Sequence, residues 1–290
     1  MARTLITLAL LCFGATLSAS AEGGHHTFWE VKGPHNTVYL LGSVHMLKQA
    51  DRTLPPEVLR AYDRSQALMM ELDLNALNPE TMLGLALGSS LLPEDKTLAE
   101  AVGPKLFATF LAHAKPLGLD PEMTAHFQPW FAALIVEQMT LAHAGFEADA
   151  GVDMQLAQRA AADHKSILAL ETAEQQLGIF SHLSLPQQRE FLSSTLEELD
   201  NEAAQAADMI GAWRRGDIDA LESLLRQESA QSPELFRMLT TDRNHKWLPR
   251  IIALFADTHD DMIVVGAMHL IGTDGLIELL KRAGYNAVQH

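Results

Sequence analysis

The chain has 290 residues, 48% hydrophobic and 20% charged, which excludes a disordered protein and allows a sizeable core. Its net charge of −16 argues against a nucleic-acid or anionic-lipid surface and reads as a solubility feature. Cys12 is the one cysteine. If it leaves with a cleaved leader, disulfides, thiolate catalysis and cysteine metal ligands are all excluded, and any metal must be held by His and carboxylate.

Such a leader is expected at residues 1–21. Arg3 gives a positive n-region, Leu5 to Phe13 an apolar stretch too short to span a membrane, and Ala19-Ser20-Ala21 a small-residue cleavage site. The expected location is periplasmic or secreted, with no membrane span after leader removal. Residues 22–290 then read as one domain. Residues 22–26, with Gly23-Gly24-His25-His26, read as a flexible lead-in. Two apolar runs, 27–31 and 37–41, flank Lys32-Gly33-Pro34-His35-Asn36 and predict a β-hairpin with His35 in a solvated turn.

The second run continues as Val38-Tyr39-Leu40-Leu41-Gly42-Ser43-Val44-His45, a buried strand whose Gly42 releases the chain into a turn carrying His45. Leu54-Pro55-Pro56-Glu57 opens a helix to about Ser65, followed by the strand Ala67-Leu68-Met69-Met70 ending on Glu71. The unit is a βαβ crossover and implies parallel strands. Residues 79 to about 146 read as several short helices broken by Pro93, Pro104, Pro116, Pro121 and Pro129. Within them Phe127, Trp130 and Phe131 read as helix-packing core rather than pocket lining.

Gly151-Val152-Asp153 begins a further helix, and Ile167-Leu168-Ala169-Leu170 a strand that ends on Glu171. A helix starts at Thr172, and residues 187 to about 230 form long helices split near Gly216 and Asp217. A helix from about Thr241 to Phe255 carries Arg243 and Asn244 in its first turn. The strand Met262-Ile263-Val264-Val265 then repeats the earlier pattern, with Gly266 as its turn and His269 three residues on. A helix over 273–282 and a strand over 285–288 complete the chain. The fold class is therefore α/β: a central, mostly parallel sheet with an N-terminal β-hairpin and large helical insertions.

Four strands thus end in His45, Glu71, Glu171 and His269. In an open parallel sheet these side chains meet at the carboxyl rim, where ligands bind. Two imidazoles and two carboxylates suit Zn²⁺, Mn²⁺ or Co²⁺, with about three as metal ligands and one carboxylate left as general base, Glu71 being a candidate for either role. The competing reading is a buried His–Glu hydrogen-bond cluster without metal. Asp73, two residues after Glu71, is a candidate to orient a ligating His, or alternatively a loop cap. Arg at a helix start opposes the dipole. Arg243 and Asn244 are therefore candidates for pairing with a substrate carboxylate or oxyanion, against the plainer reading of Arg243 in a salt bridge.

In order, Tyr39-Leu40-Leu41-Gly42-Ser43-Val44-His45, Leu54-Pro55-Pro56, Glu71-Leu72-Asp73, Gly151-Val152-Asp153, Leu170-Glu171-Thr172 with Gln175, Arg243-Asn244, and Gly266-Ala267-Met268-His269 with Gly272 and Gly275 resemble the TraB/GumN family, which includes the Tiki proteases. The resemblance spans about residues 27–289. It implies a fold like the erythromycin-esterase/ChaN group and a metal-dependent protease using His45, His269 and Glu71, with Glu171 a further acidic position and Asp153 a supporting carboxylate. The partner implied is a peptide or protein substrate. Two other readings stand beside the hydrolase: a non-catalytic metal-, haem- or peptide-binding protein, and an accessory protein of envelope polysaccharide export.

Overall fold

The computed structural model describes residues 26–77, 84–85 and 88–290; the expected leader, lead-in residues 22–25 and part of the 79–146 insertion lie outside the described residues. Six strands form one open sheet in the order β4-β3-β5-β2-β1-β6. They are β1 (Phe28–Lys32), β2 (Thr37–Ser43), β3 (Ala67–Met70), β4 (Ser166–Ala169), β5 (Asp261–Gly266) and β6 (Ala287–Gln289). β2, β5, β3 and β4 are mutually parallel, while β1 pairs antiparallel with both β2 and β6. The hairpin and the mostly parallel sheet are as the sequence implies. The crossover from β2 through α1 (Pro56–Arg64) to β3 does give parallel strands, but β5, from the far end of the chain, sits between them.

The strands that build the site are nearly continuous apolar runs because both faces are covered. β2, β3 and β5 are buried along almost their whole length. β4 departs from the expectation of a buried strand: it closes one edge, and Ser166 and Leu168 are exposed. An edge strand has one neighbour and needs less apolar cover.

In the insertion, α2 (Leu98–Val102), α3 (Pro104–Ala114), α4 (Pro121–Thr124) and α5 (Pro129–His143) follow one another. Three of these begin at a proline, where the missing N–H costs nothing. α6 (Val152–Ala162) precedes β4; α7 (Ala173–Ser181), the long α8 (Leu185–Arg215) and α9 (Ile218–Gln231) follow it. α8 stops at Gly216, whose φ of 59° is left-handed, and Asp217 caps α9 through Ala220 N–H. A second apolar core lies between α5 and α8, with Trp130 fully buried and Phe127 beside it.

Three boundaries differ from the sequence reading. Arg243 and Asn244 do not lie at a free helix start: α10 (Pro233–Phe236) runs through a π-helical turn, 237–241, into α11 (Asp242–Ala253). The wide turn leaves the Leu239 carbonyl to accept from Arg243 Nη1 at 2.9 Å, so the dipole argument does not apply. α12 begins at Leu276 rather than Thr273, because residues up to Gly275 form a turn in which Gly272 has φ of 82°. His26 is held rather than loose: its Nε2 lies 2.6 Å from Glu57.

Candidate active site at the carboxyl rim of the sheet

Strand register brings the rim together. Ser43 pairs with Gly266, and Met70 lies opposite both Val264 and Ala169. The residues that follow each strand therefore emerge at one level. His45 leaves β2 on a loop whose Val44 carbonyl accepts from Val152 N–H at 2.9 Å. Gly151 makes that approach possible, since a Cβ there would sit 2.1 Å from the His45 carbonyl oxygen. Gly42 is required for packing rather than for a turn: its Cβ would meet Thr27 and the Ala267 Cα at 2.6 and 2.9 Å.

Asp153, in the first turn of α6, accepts from Ser43 Oγ at 2.5 Å and from His45 Nδ1 at 2.7 Å. The carboxylate raises the His45 pKa to about 9 against the opposing effect of burial. His269 is treated oppositely. Its Nδ1 faces Asn244 Oδ1 at 2.7 Å, and Asn244 Nδ2 donates to the His269 and Asp274 carbonyls at 3.1 and 2.8 Å. Those two donations fix the amide, so Nδ1 of His269 must carry the proton and Nε2 the lone pair. Burial, reinforced by the Arg243 charge, lowers the His269 pKa to about 3. The ring also lies against Trp247, with centroids 4.6 Å apart.

Arg243 joins the acids. Nη2 donates to both Glu71 Oε2 and Glu171 Oε1, Nε donates to Glu171 Oε2 at 3.2 Å, and Nη1 donates to His269 Nε2 at 3.0 Å. Its guanidinium lies over the Trp247 ring at 4.6 Å, one helical turn away on α11. Burial pushes the Glu71 carboxyl up. Arg243, the two imidazoles and the Gly266 N–H, 2.8 Å from Oε1, outweigh it and hold Glu71 well below the usual range. Burial raises Glu171 despite the same arginine, with the Glu71 charge adding to it. The two acids share one cation, but the imidazoles and the Gly266 N–H act on Glu71 and not on Glu171, so Glu71 ionises first.

The structure thus brings His45, Glu71, Glu171, Arg243, Asn244, Asp153 and His269 to one rim. Asp73 stays in its own loop, where Oδ1 accepts from the Asn75 and Ala76 N–H groups, so it is the loop cap of the two readings. Sequence reasoning missed Gln176, whose Nε2 bridges Glu71 and Glu171 at 3.2 and 3.0 Å. Gln175, one residue earlier, is spent on a capping box with Thr172. Trp247 was also missed; only its position four residues after Arg243 could have signalled it.

A point beside Gly266 measures the convergence. The place its Cβ would occupy is 3.4 Å from Glu71 Oε1, 3.5 Å from His269 Cδ2 and 3.8 Å from His45 Nε2. These groups open onto a cavity of about 380 Å³ between sheet and helices. Among the described residues, the one group of three whose ligand atoms all lie within 4.8 Å of one another is not at this rim but is Asp257, His259 and Asp261. It lies at the start of β5, whose first residue is Asp261, and so at the opposite rim.

Among the described residues, no helix is long and apolar enough to cross a membrane. No solved structure matches the chain. The uncharacterised protein YbaP of Escherichia coli (strain K12) is 26% identical over 271 residues, covering 92% of this chain and 97% of that protein. An uncharacterised protein of Treponema pallidum (strain Nichols) is 20% identical, covering 88% and 80%. Metalloprotease TIKI1 of Danio rerio is 24% identical over 307 residues, covering 87% of this chain and 60% of that protein. The TraB/PrgY/gumN family model matches residues 27–289, nine-tenths of the chain: the chain belongs to that family.

Proposed function

We propose that the protein is an exported, metal-dependent hydrolase acting on peptide bonds at the carboxyl rim. The observation that carries this is the shared arrangement of the two imidazoles. Each is tethered through Nδ1 to an oxygen, of Asp153 or Asn244, and each leaves Nε2 beside Glu71. Two oxygen-tethered imidazoles and a carboxylate suit a zinc-type donor set once Arg243 leaves His269 Nε2 and the charged His45 ring gives up its Nε2 proton. His45, His269 and Glu71 would hold a divalent ion such as Zn²⁺, Mn²⁺ or Co²⁺. When bound, such an ion polarises a carbonyl and lowers the pKa of water. The distant likeness to a protein named metalloprotease supports the same reading.

The chain's own residues supply the rest. Asp153 orients His45 and keeps Nδ1–H directed away from the rim. His269 is neutral above about pH 3, so Nε2 carries a lone pair throughout the physiological range, which here accepts from Arg243 Nη1. Glu71 is charged, as a ligand must be, and Glu171, whose carboxyl burial raises, is the acid left to take a proton. Arg243, held by Glu171, offers N–H donors next to Glu71 and His269, where a developing oxyanion or a substrate carboxylate would be stabilised. The apolar cavity walls exclude water from the reacting bond.

One observation favours a second reading. Arg243 already satisfies both acids and His269 Nε2, which suits a metal-free rim that captures a peptide carboxylate without turnover. Incubating the purified protein with a peptide library, with and without chelator and added Zn²⁺, Mn²⁺ or Co²⁺, separates the two. Metal-dependent cleavage lost in Glu71→Gln is expected. Peptide binding without cleavage under any metal would establish the second reading instead.

A further inference from the structure

Four glutamates are buried among the helices that cover the rim: Glu137 on α5, Glu198 and Glu202 one turn apart on α8, and Glu228 on α9. Their exposures are 1, 5, 0 and 8%. Buried acids normally find a cation or donors. Among the described residues, both oxygens of Glu202, Oε1 of Glu137 and Oε2 of Glu228 have no hydrogen-bond partner. Glu137 and Glu228 face the same cavity that reaches His45, Glu71 and His269, and its other walls include Leu134, Phe180, Met209 and Leu221.

We propose that Glu137 and Glu228 form a recognition site for the cationic head of a lysine or arginine side chain, whose aliphatic stem lies along the apolar cavity wall. The site deepens the hydrolase reading and rests on it for the claim that the occupant belongs to a peptide. The chemistry matches point by point. The orphaned atoms accept and do not donate once ionised, whereas an ammonium or guanidinium donates and does not accept. Long basic side chains pair an apolar stem with a charged tip. A cavity of about 380 Å³ falls within the range of roughly 300–1,000 Å³ typical of small-ligand pockets.

The electrostatics agree. Burial, with the neighbouring glutamates, raises Glu137, Glu202 and Glu228, with Glu202 reaching about 8. The groups acting on Glu137 are Glu202, Glu228 and Glu198, while Glu198 acts on both Glu202 and Glu228. Part of the cluster is therefore protonated until a cation arrives, and binding should release protons near neutral pH. A metal ion is the less favoured occupant. The cavity walls beside Glu137 and Glu228 are largely apolar, which suits an alkyl stem with a charged tip better than a hydrated ion.

The test uses small probes with no scissile bond, so that it is independent of hydrolysis. n-Pentylamine, N-pentylguanidine and n-pentanol share one stem, and calorimetry on the full chain measures their binding in buffers of different ionisation enthalpy. The two cationic probes should bind at least tenfold tighter than the alcohol, with proton release. That preference should disappear in Glu137→Gln and Glu228→Gln, whose melting temperatures stay at or above wild type because an uncompensated acid has been removed. Equal affinity of amine and alcohol, no measurable binding of either, or a preference that survives both substitutions overturns the proposal. So does tight binding of Mg²⁺, Mn²⁺ or Ca²⁺ that requires the same two glutamates and excludes the amine. A cation preference in a protein that cleaves no peptide would remove the hydrolase reading and leave this site intact.

Discussion

Replacing Arg243 by Gln removes the one guanidinium that both Glu71 and Glu171 share. The side chains are about nine-tenths buried on all three residues, at 9, 9 and 8% exposure. Breaking a buried pair leaves uncompensated charge, at a cost of about 3–5 kcal/mol. At roughly 2 °C per kcal/mol for a chain of this size, the melting temperature should fall by about 6–10 °C. The pH dependence identifies the cause. In the wild type, Glu71 is held far below its ordinary value of 4.5, so its contribution is full above pH 4.5 and is lost as pH falls through the folded value. In the variant only burial and weaker neighbours remain, the carboxyl protonates readily, and the deficit relative to wild type should shrink below about pH 4.5. Urea unfolding at pH 7 and pH 4, with chelator present, measures both quantities. Adding Glu71→Gln to the variant should recover part of the loss. A deficit below about 1 kcal/mol at pH 7, or an equal deficit at both pH values, would refute the account of a charge shared at the rim.

Asp153→Asn should lower the His45 pKa from about 9 to at or below 6.5, read by NMR titration; a value still near 9 contradicts the assignment of the shift to that carboxylate. Because His45 is raised, its stabilisation is full below pH 6.5 and lost through pH 9, so the stability gap between wild type and this variant should be present at pH 6 and gone by pH 10. His269 carries the opposite sign. Its folded pKa of about 3 lies under the unfolded 6.5, so the unfolded chain binds the proton first and this contribution falls as pH drops from 6.5 to 3. Calorimetric scans should show that decline, and a flat profile would contradict a neutral buried imidazole. Gly42→Ala should cost about 1–3 kcal/mol by overpacking against Thr27 and Ala267. Gly266→Ala meets only ordinary contacts at 3.4–3.8 Å and should fold, but with its methyl beside His45 Nε2 and Glu71 it should lose activity; the reverse pattern would show that the rim is not the reacting centre.

The sheet and its rim were legible because short β-branched runs buried on both faces leave few other structures open, and parallel strands then place their last residues at one level. His45, Glu71, Glu171 and His269 followed from that alone. The role of Arg243 did not, because the π-helical turn before it alters where the helix begins and shows in no periodicity. Gln176 was hidden beside Gln175, whose capping role is the stronger local signal. The four glutamates of α5, α8 and α9 were illegible because acids on amphipathic helices ordinarily mark the solvated face. Only the packing of three helices around them turns that face inward. β4 read as buried because four apolar residues look alike in an edge and a central strand.

The proposed function stands or falls with a divalent ion held by His45, Glu71 and His269. Crystals soaked in Zn²⁺ or Mn²⁺ and measured at the metal's absorption edge test it most directly. An anomalous peak is expected within coordination distance, about 2.0–2.2 Å, of His45 Nε2, His269 Nε2 and a Glu71 oxygen, with Arg243 withdrawn from His269 toward Glu171. A peak confined to Asp257, His259 and Asp261, or a rim still closed by Arg243 with no peak, would contradict it.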